Sequence, residues 1–204
     1  MTPQHPQLLI DTDAFCKLAA AELLDEVLAL LGVNRTQCAV LPALPYMLER
    51  GRLRKKYGDF KSDRLRKLAD EFPVAPNSSS KWLDELSAES SIDPGEAQLF
   101  ALAAEHEIRI LTGDKRALEA LAKVSDIHPH LSGNVVTLES VLTGLHEQLP
   151  ETQLRQKGKV LGQHDQMAKA VFGSTASDLG EALNSYLRDV ESRTQPLRLW
   201  RHRE

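Results

Sequence analysis

Two short apolar runs that each end in aspartate constrain this chain most. Gln7-Leu8-Leu9-Ile10 stops at Asp11, and Ile108-Arg109-Ile110-Leu111 stops at Thr112-Gly113-Asp114. Runs this short and rich in branched apolar residues read as buried strands. Two more fit the pattern: Gln37-Cys38-Ala39-Val40-Leu41, closed by Pro42, and Asn134-Val135-Val136-Thr137. Helical patterns lie between them. One helix is expected after Asp11, its stripe of Leu23, Leu24, Val27, Leu28 and Leu31 stopped by Gly32. Others are expected from Pro45 toward Lys56, over 62–71 and 80–90, from Asp93-Pro94-Gly95-Glu96 onward, over 115–123, and after Thr137. Strands alternating with helices predict a parallel sheet covered on both faces. Ligand sites in such sheets lie beyond the carboxyl ends of the strands. Asp11 and Asp114 therefore belong at one end of the sheet, although 103 positions apart in sequence.

Glu96 joins them as the third residue of a helix whose cap is Asp93. Oxygen-rich carboxylate sets suit hard divalent ions such as Mg²⁺ or Mn²⁺, which keep part of their water shell. Such ions activate water and stabilise the oxygens of a phosphodiester under attack. Each acid also has a simpler reading. Asp11 and Asp114 can cap the helices that follow them, and Glu96 can complete a capping box with Asp93. Asp13 and Asp93 read as caps.

A net charge of −4 over 204 residues does not by itself point to a polyanion, but its distribution does. Residues 50–67 hold nine Lys or Arg against two Asp, and Arg188, Arg193, Arg198, Arg201 and Arg203 follow near the end. Local patches set encounters with nucleic acid, although a charge run is also what a solvated helix face looks like. Aromatic residues make up 5%, which argues against base stacking as the main mode of binding. Cys16 and Cys38 lack metal-site spacing and sit among apolar residues, as buried free thiols do. The histidines, among them His128, His130, His146 and His164, also lack ligand spacing. The start from Met1 to Pro6 has no signal-peptide pattern, and no apolar stretch reaches the length of a membrane span. The expected location is a reducing cytoplasm, with no membrane partner. After Pro150 polar residues dominate to His164. Short stripes follow at Met167, Ala168 and Val171, and from Leu179 to Val190 behind an Asp178 cap.

Three of these segments together resemble a known family. Leu8-Leu9-Ile10-Asp11-Thr12-Asp13 resembles the opening strand of PIN domains. Gly95-Glu96-Ala97-Gln98-Leu99-Phe100-Ala101 resembles their later acidic helix, and Ile110-Leu111-Thr112-Gly113-Asp114 resembles their strand ending in Thr-x-Asp. The resemblance, to the PIN-domain (VapC-like) nuclease family, covers roughly residues 7 to 148. It implies a three-layer α/β/α fold with a central parallel sheet over 1–149; the stripes after Pro150 predict a helical C-terminal extension over 150–204. It also implies an endoribonuclease dependent on Mg²⁺ or Mn²⁺, with Asp11, Glu96 and Asp114 as metal ligands. Thr112 would orient a carboxylate or the water. Glu49 occupies the position of the family's further acid after the second strand. Glu96 stands where many VapC-like members carry Asp, so its arm is longer. RNA is the implied substrate, an antitoxin protein and a second copy of the chain the implied partners, and toxin activity one implied role. The basic stretch and the C-terminal extension depart from a minimal PIN domain; the extension could bind an antitoxin, bind RNA, or pack on the domain.

Two other readings stay open. One is a non-catalytic PIN-like module that binds RNA or protein. The other is a phosphatase of the HAD type, suggested by Asp11-Thr12-Asp13. Against it, Phe15 stands where that family has Thr or Val, and no acid follows Asp114 in Lys115-Arg116-Ala117-Leu118.

Overall fold

The strands are β1 (Leu8–Ile10), β2 (Cys38–Val40), β3 (Arg109–Thr112) and β4 (Val135–Thr137). They form one sheet in the order β2-β1-β3-β4. Every neighbouring pair is parallel, with Ile10 beside Val40 and Leu111, and Leu111 beside Val136. The structure is a computed structural model and describes residues 5–173 and 178–202. Met1 to Gln4 and Arg203, which entered the sequence reading, lie outside the described residues.

Helices α1 (Thr12–Ala20) and α2 (Leu24–Leu30) follow β1. Between β2 and β3 come α3 (Leu44–Arg50), α4 (Arg52–Tyr57), α5 (Asp59–Ala69), α6 (Lys81–Ser87) and α7 (Pro94–His106). Helices α8 (Lys115–Leu121) and α9 (His128–Leu131) precede β4, and α10 (Leu138–Gln148), α11 (Glu151–Leu161), α12 (Gln166–Gly173) and α13 (Leu179–Arg193) complete the chain. Side chains alternate across the pleat, so each strand feeds two cores. Leu8, Ile10, Val40, Leu111 and Val136 pack with α1, α2, α3 and α10. Leu9, Ala39, Ile110 and Val135 pack with α6, α7 and α8 on the other face. Helices thus cover both faces of the sheet, and strands buried on both sides read as unbroken apolar runs.

Three elements differ from the sequence expectation. The helix expected through Gly32 is two helices, broken where Glu22 takes a left-handed φ of 56°. The helix expected from Pro45 to Lys56 is also two, divided at Gly51, whose extended backbone ends α3. The polar stretch before His164 contains α11, held by its buried Leu154, Gly158 and Leu161. A Cβ on Gly158 would stand 2.4 Å from the buried Phe172 ring, so the small residue lets α11 close onto α12. Leu154, Leu161, Phe172, Leu179 and Leu183 belong to the same core as α1 and β1, so the segment after Pro150 packs into the body of the fold.

Loop residues cap both edges of the sheet. Val40 donates to Pro73 O (3.0 Å) and accepts from Ala75 (2.8 Å); Trp200 donates to Val135 O (2.8 Å) at the opposite edge. Cys16 and Cys38 are buried and unpaired. Among the described residues, no helix is long and apolar enough to cross a membrane.

Candidate functional site

The carboxyl ends of β1 and β3 are welded side by side: the Asp11 amide donates to Leu111 O at 2.9 Å. Asp11 leaves β1 and caps α1, its Oδ2 accepting from the amides of Asp13 (3.1 Å) and Ala14 (3.4 Å). Asp114 leaves β3 and caps α8, its Oδ1 accepting from Arg116 (2.8 Å) and Ala117 (3.1 Å). Thr112 is buried, and its Oγ1 accepts the Asp114 amide at 3.2 Å, which fixes the turn carrying that carboxylate. A Cβ on Gly113 would stand 2.7 Å from the Leu138 Cδ1, so a larger residue there would have to displace that side chain at the start of α10. Glu96 and Asp93 form a reciprocal capping box on α7: Asp93 N to Glu96 Oε2 is 2.8 Å, and Glu96 N to Asp93 Oδ1 is 2.9 Å.

Capping and ligation therefore do not exclude one another here. Each of the three acids gives one oxygen to a helix cap, while Asp11 Oδ1, Glu96 Oε1 and Asp114 Oδ2 accept no hydrogen bond among the described residues. Burial and mutual repulsion act on them. Burial pushes Asp11 up to about 6, with Asp13 and Asp93 adding to it. Burial likewise pushes Glu96 up to about 8, against the Asp93 amide and with the charges of Asp93, Asp114 and Asp11. Asp11, Asp93, Glu96 and Asp114 thus share one electrostatic neighbourhood. Among the described residues no three acids, histidines or cysteines make a ready metal cage. The donor set fits an ion that takes a few single carboxylate oxygens and retains water, as Mg²⁺ does. Thr12 Oγ1, adjacent in sequence to Asp11, is buried without a partner and is a further polar atom for a hydrated ligand to satisfy.

Glu49, the family's further acid by resemblance, is not among the leading charges acting on Asp11 or Glu96. It sits on α3 and faces the basic residues Arg50 (3.5 Å) and Arg66 (3.8 Å). The basic stretch is partly neutralised: Arg54 pairs with Asp59 and Asp63, and Lys56 with Asp13. Near the end, Arg193 pairs with Glu119 and Arg201 with Glu191. Asp13 does not cap α1. Burial alone would raise its pKa, but Lys17 and Lys56 outweigh that and hold it below the ordinary carboxylate value.

Lys17 is the site residue that sequence reasoning missed. It is buried, bonds Asp13 (2.6 Å) and Asp165 (2.8 Å), and its Nζ lies 3.9 Å from where a Gly113 Cβ would be. A lysine four residues after Asp13, between apolar neighbours, was the available signal; Asp165, on the α11–α12 connection, had none. A cavity of about 590 Å³, lined by Lys56 and that connection, adjoins this network. A second cavity, of about 700 Å³, lies between α1, α2 and α5, and neither is lined by Asp11, Glu96 or Asp114. No family model, no curated protein and no solved structure matches the chain.

Proposed function

We propose that this chain is a PIN-like, metal-dependent endoribonuclease that hydrolyses RNA phosphodiester bonds at the rim formed by Asp11, Glu96 and Asp114. One observation carries the reading: Asp11 and Asp114 follow the adjacent strands β1 and β3, both their charges act on Glu96 at the start of α7, and each of the three caps a helix with one oxygen and keeps the other uncommitted. Burial and repulsion that raise Asp11 to about 6 and Glu96 to about 8 are relieved when a cation joins them. Bound there, Mg²⁺ or Mn²⁺ supplies the positive charge that favours ionisation of water and offsets charge building on the phosphate.

The residues of the chain do the rest. Asp11, Glu96 and Asp114 would hold the ion, and their helix caps fix the carboxylates in place. Thr112 holds the turn that presents Asp114. Arg52, Lys55, Lys61 and Lys67, which have no carboxylate partner among the described residues, provide charge for the RNA backbone. Asp13 is tied to Lys17 and Lys56 and kept ionised, which suits it poorly to the acid role a HAD-type phosphatase would require.

The test is cleavage of a mixed-sequence single-stranded RNA with Mn²⁺, with EDTA, and by Asp11→Asn with Mn²⁺. Cutting that needs both metal and Asp11 supports the reading; folded wild-type protein that leaves RNA intact overturns it. A second reading is a non-catalytic PIN-like module that binds RNA or protein through the basic residues of 50–67. Mn²⁺ titration separates the two, because such a module would show no carboxylate-dependent binding.

A further inference from the structure

We infer that the cavity between the end of α4 and the α11–α12 connection is a phosphate subsite that seats the RNA backbone beside the acidic rim. The inference rests on the nuclease reading and names where the strand leaving that site is held. Lys56, Lys159, Lys169, His164 and Asp165 line the cavity, whose volume is about 590 Å³. Its one carboxylate is already engaged: Asp165 accepts from Lys17 Nζ at 2.8 Å and from the Ala168 amide at 2.9 Å. Lys56 is paired with Asp13 at 2.8 Å, whereas Lys159 and Lys169 have no carboxylate partner among the described residues.

The wall also holds an unmet polar group. His164 Nε2 is buried with no hydrogen-bond partner, and its ring packs 4.4 Å from Tyr57, whose hydroxyl is likewise buried and unpartnered. Buried polar atoms without partners are rare, and these two stand in the wall of a cavity lined by lysines. Burial first, then the charges of Lys61 and Lys56 against that of Asp13, push the His164 pKa down, which places those lysines near the wall of the cavity. The frame is closely packed, because a Cβ on Gly162 would stand 2.9 Å from Lys169 Cα.

Position links the cavity to the acids. Lys56 and Lys17 both bind Asp13, Asp13 acts on Asp11, and Lys17 reaches toward Gly113. A phosphodiester suits this lining, since it offers oxygens to ammonium groups and a single charge per unit.

The test uses the full chain carrying Asp11→Asn, in EDTA, so that a fluorescein-labelled 12-nucleotide RNA stays whole. Asparagine also caps helices, so α1 is preserved. Anisotropy across a salt series compares this protein with one that also carries Lys159→Gln and Lys169→Gln, and with a charge-matched control carrying Lys81→Gln and Lys123→Gln. The expected result is at least tenfold weaker binding by the 159/169 variant alone. Its plot of log affinity against log salt should be less steep by about 1.4, the share of two phosphate contacts on a single strand. Affinity and slope equal to the control would overturn the inference. So would binding of poly-glutamate, but not RNA, that depends on the two lysines. Lysine-dependent RNA binding with no metal-dependent cleavage by wild type would keep the subsite and overturn the nuclease reading. Wild-type kcat/KM in a Lys159→Gln/Lys169→Gln enzyme would do the reverse.

Discussion

Glu96→Gln turns the burial of one carboxylate into a stability measurement. Glu96 keeps its proton to about pH 8 in the fold, against an ordinary value of 4.5. Below the ordinary value both states are protonated, and the stability due to this group is fully present. As pH rises the unfolded chain ionises first, so stability without metal falls and levels off once the folded group ionises near pH 8. Each pH unit of that window is worth 1.36 kcal/mol, a ceiling of about 5 kcal/mol. Glu96 is 8% exposed, and the solvent that reaches it reduces the working figure to about 2 kcal/mol. Glutamine keeps a carbonyl for the Asp93 amide, now 2.8 Å from Glu96 Oε2, so the capping box survives. In EDTA the variant should match wild type near pH 4.5 and exceed it by about 2 kcal/mol at pH 8.5, a rise of roughly 6 °C in Tm for a chain this size. Thermal melts at pH 4.5, 6.5 and 8.5 read the difference. Mn²⁺ should reverse the order, because a cation at a hundred times its Kd adds about 2.7 kcal/mol to the protein that binds it. A stability difference that stays flat across pH would refute the account of Glu96.

Asp11→Asn should keep the fold and lose metal-dependent RNA cleavage by at least 100-fold, read by gel and circular dichroism. Lys17→Met leaves Asp13 and Asp165 without their shared buried cation and should cost about 3 kcal/mol in urea unfolding. Gly158→Ala forces a methyl against the Phe172 ring and should cost about 2 kcal/mol, separating α11 from α12. Glu49→Gln should leave RNA cleavage within about twofold of wild type, because Glu49 faces Arg50 and Arg66 rather than the other acids.

The strands were legible because burial on both faces leaves a continuous apolar run, as in Leu8-Leu9-Ile10 and Val135-Val136. The placing of Asp11 and Asp114 after adjacent parallel strands followed from strand direction alone. Whether each acid was a cap or a ligand could not be decided from residue type, since the answer lies in which oxygen is used. The break at Glu22 had no signal, because a glutamate in the left-handed region looks like any helical glutamate. Helix α11 was hidden by its polar surface: Leu154 and Leu161, seven positions apart, make too thin a stripe to recognise. The role of Lys17 depends on Asp165, 148 positions away, and only the closed fold brings the two together.

The bridges at Val74 and Leu199 bear on how copies of this chain meet one another. A four-stranded sheet ordinarily exposes two rows of unmatched amides and carbonyls, on which another molecule's strand can add. Here the loop around Val74 pairs with Val40 at the β2 edge, and the segment around Leu199 pairs with Val135 at the β4 edge. Residues 198–200 thus act as a guard on β4, and without them the Val135 carbonyl would lose its partner and the edge would be open to a strand from another molecule.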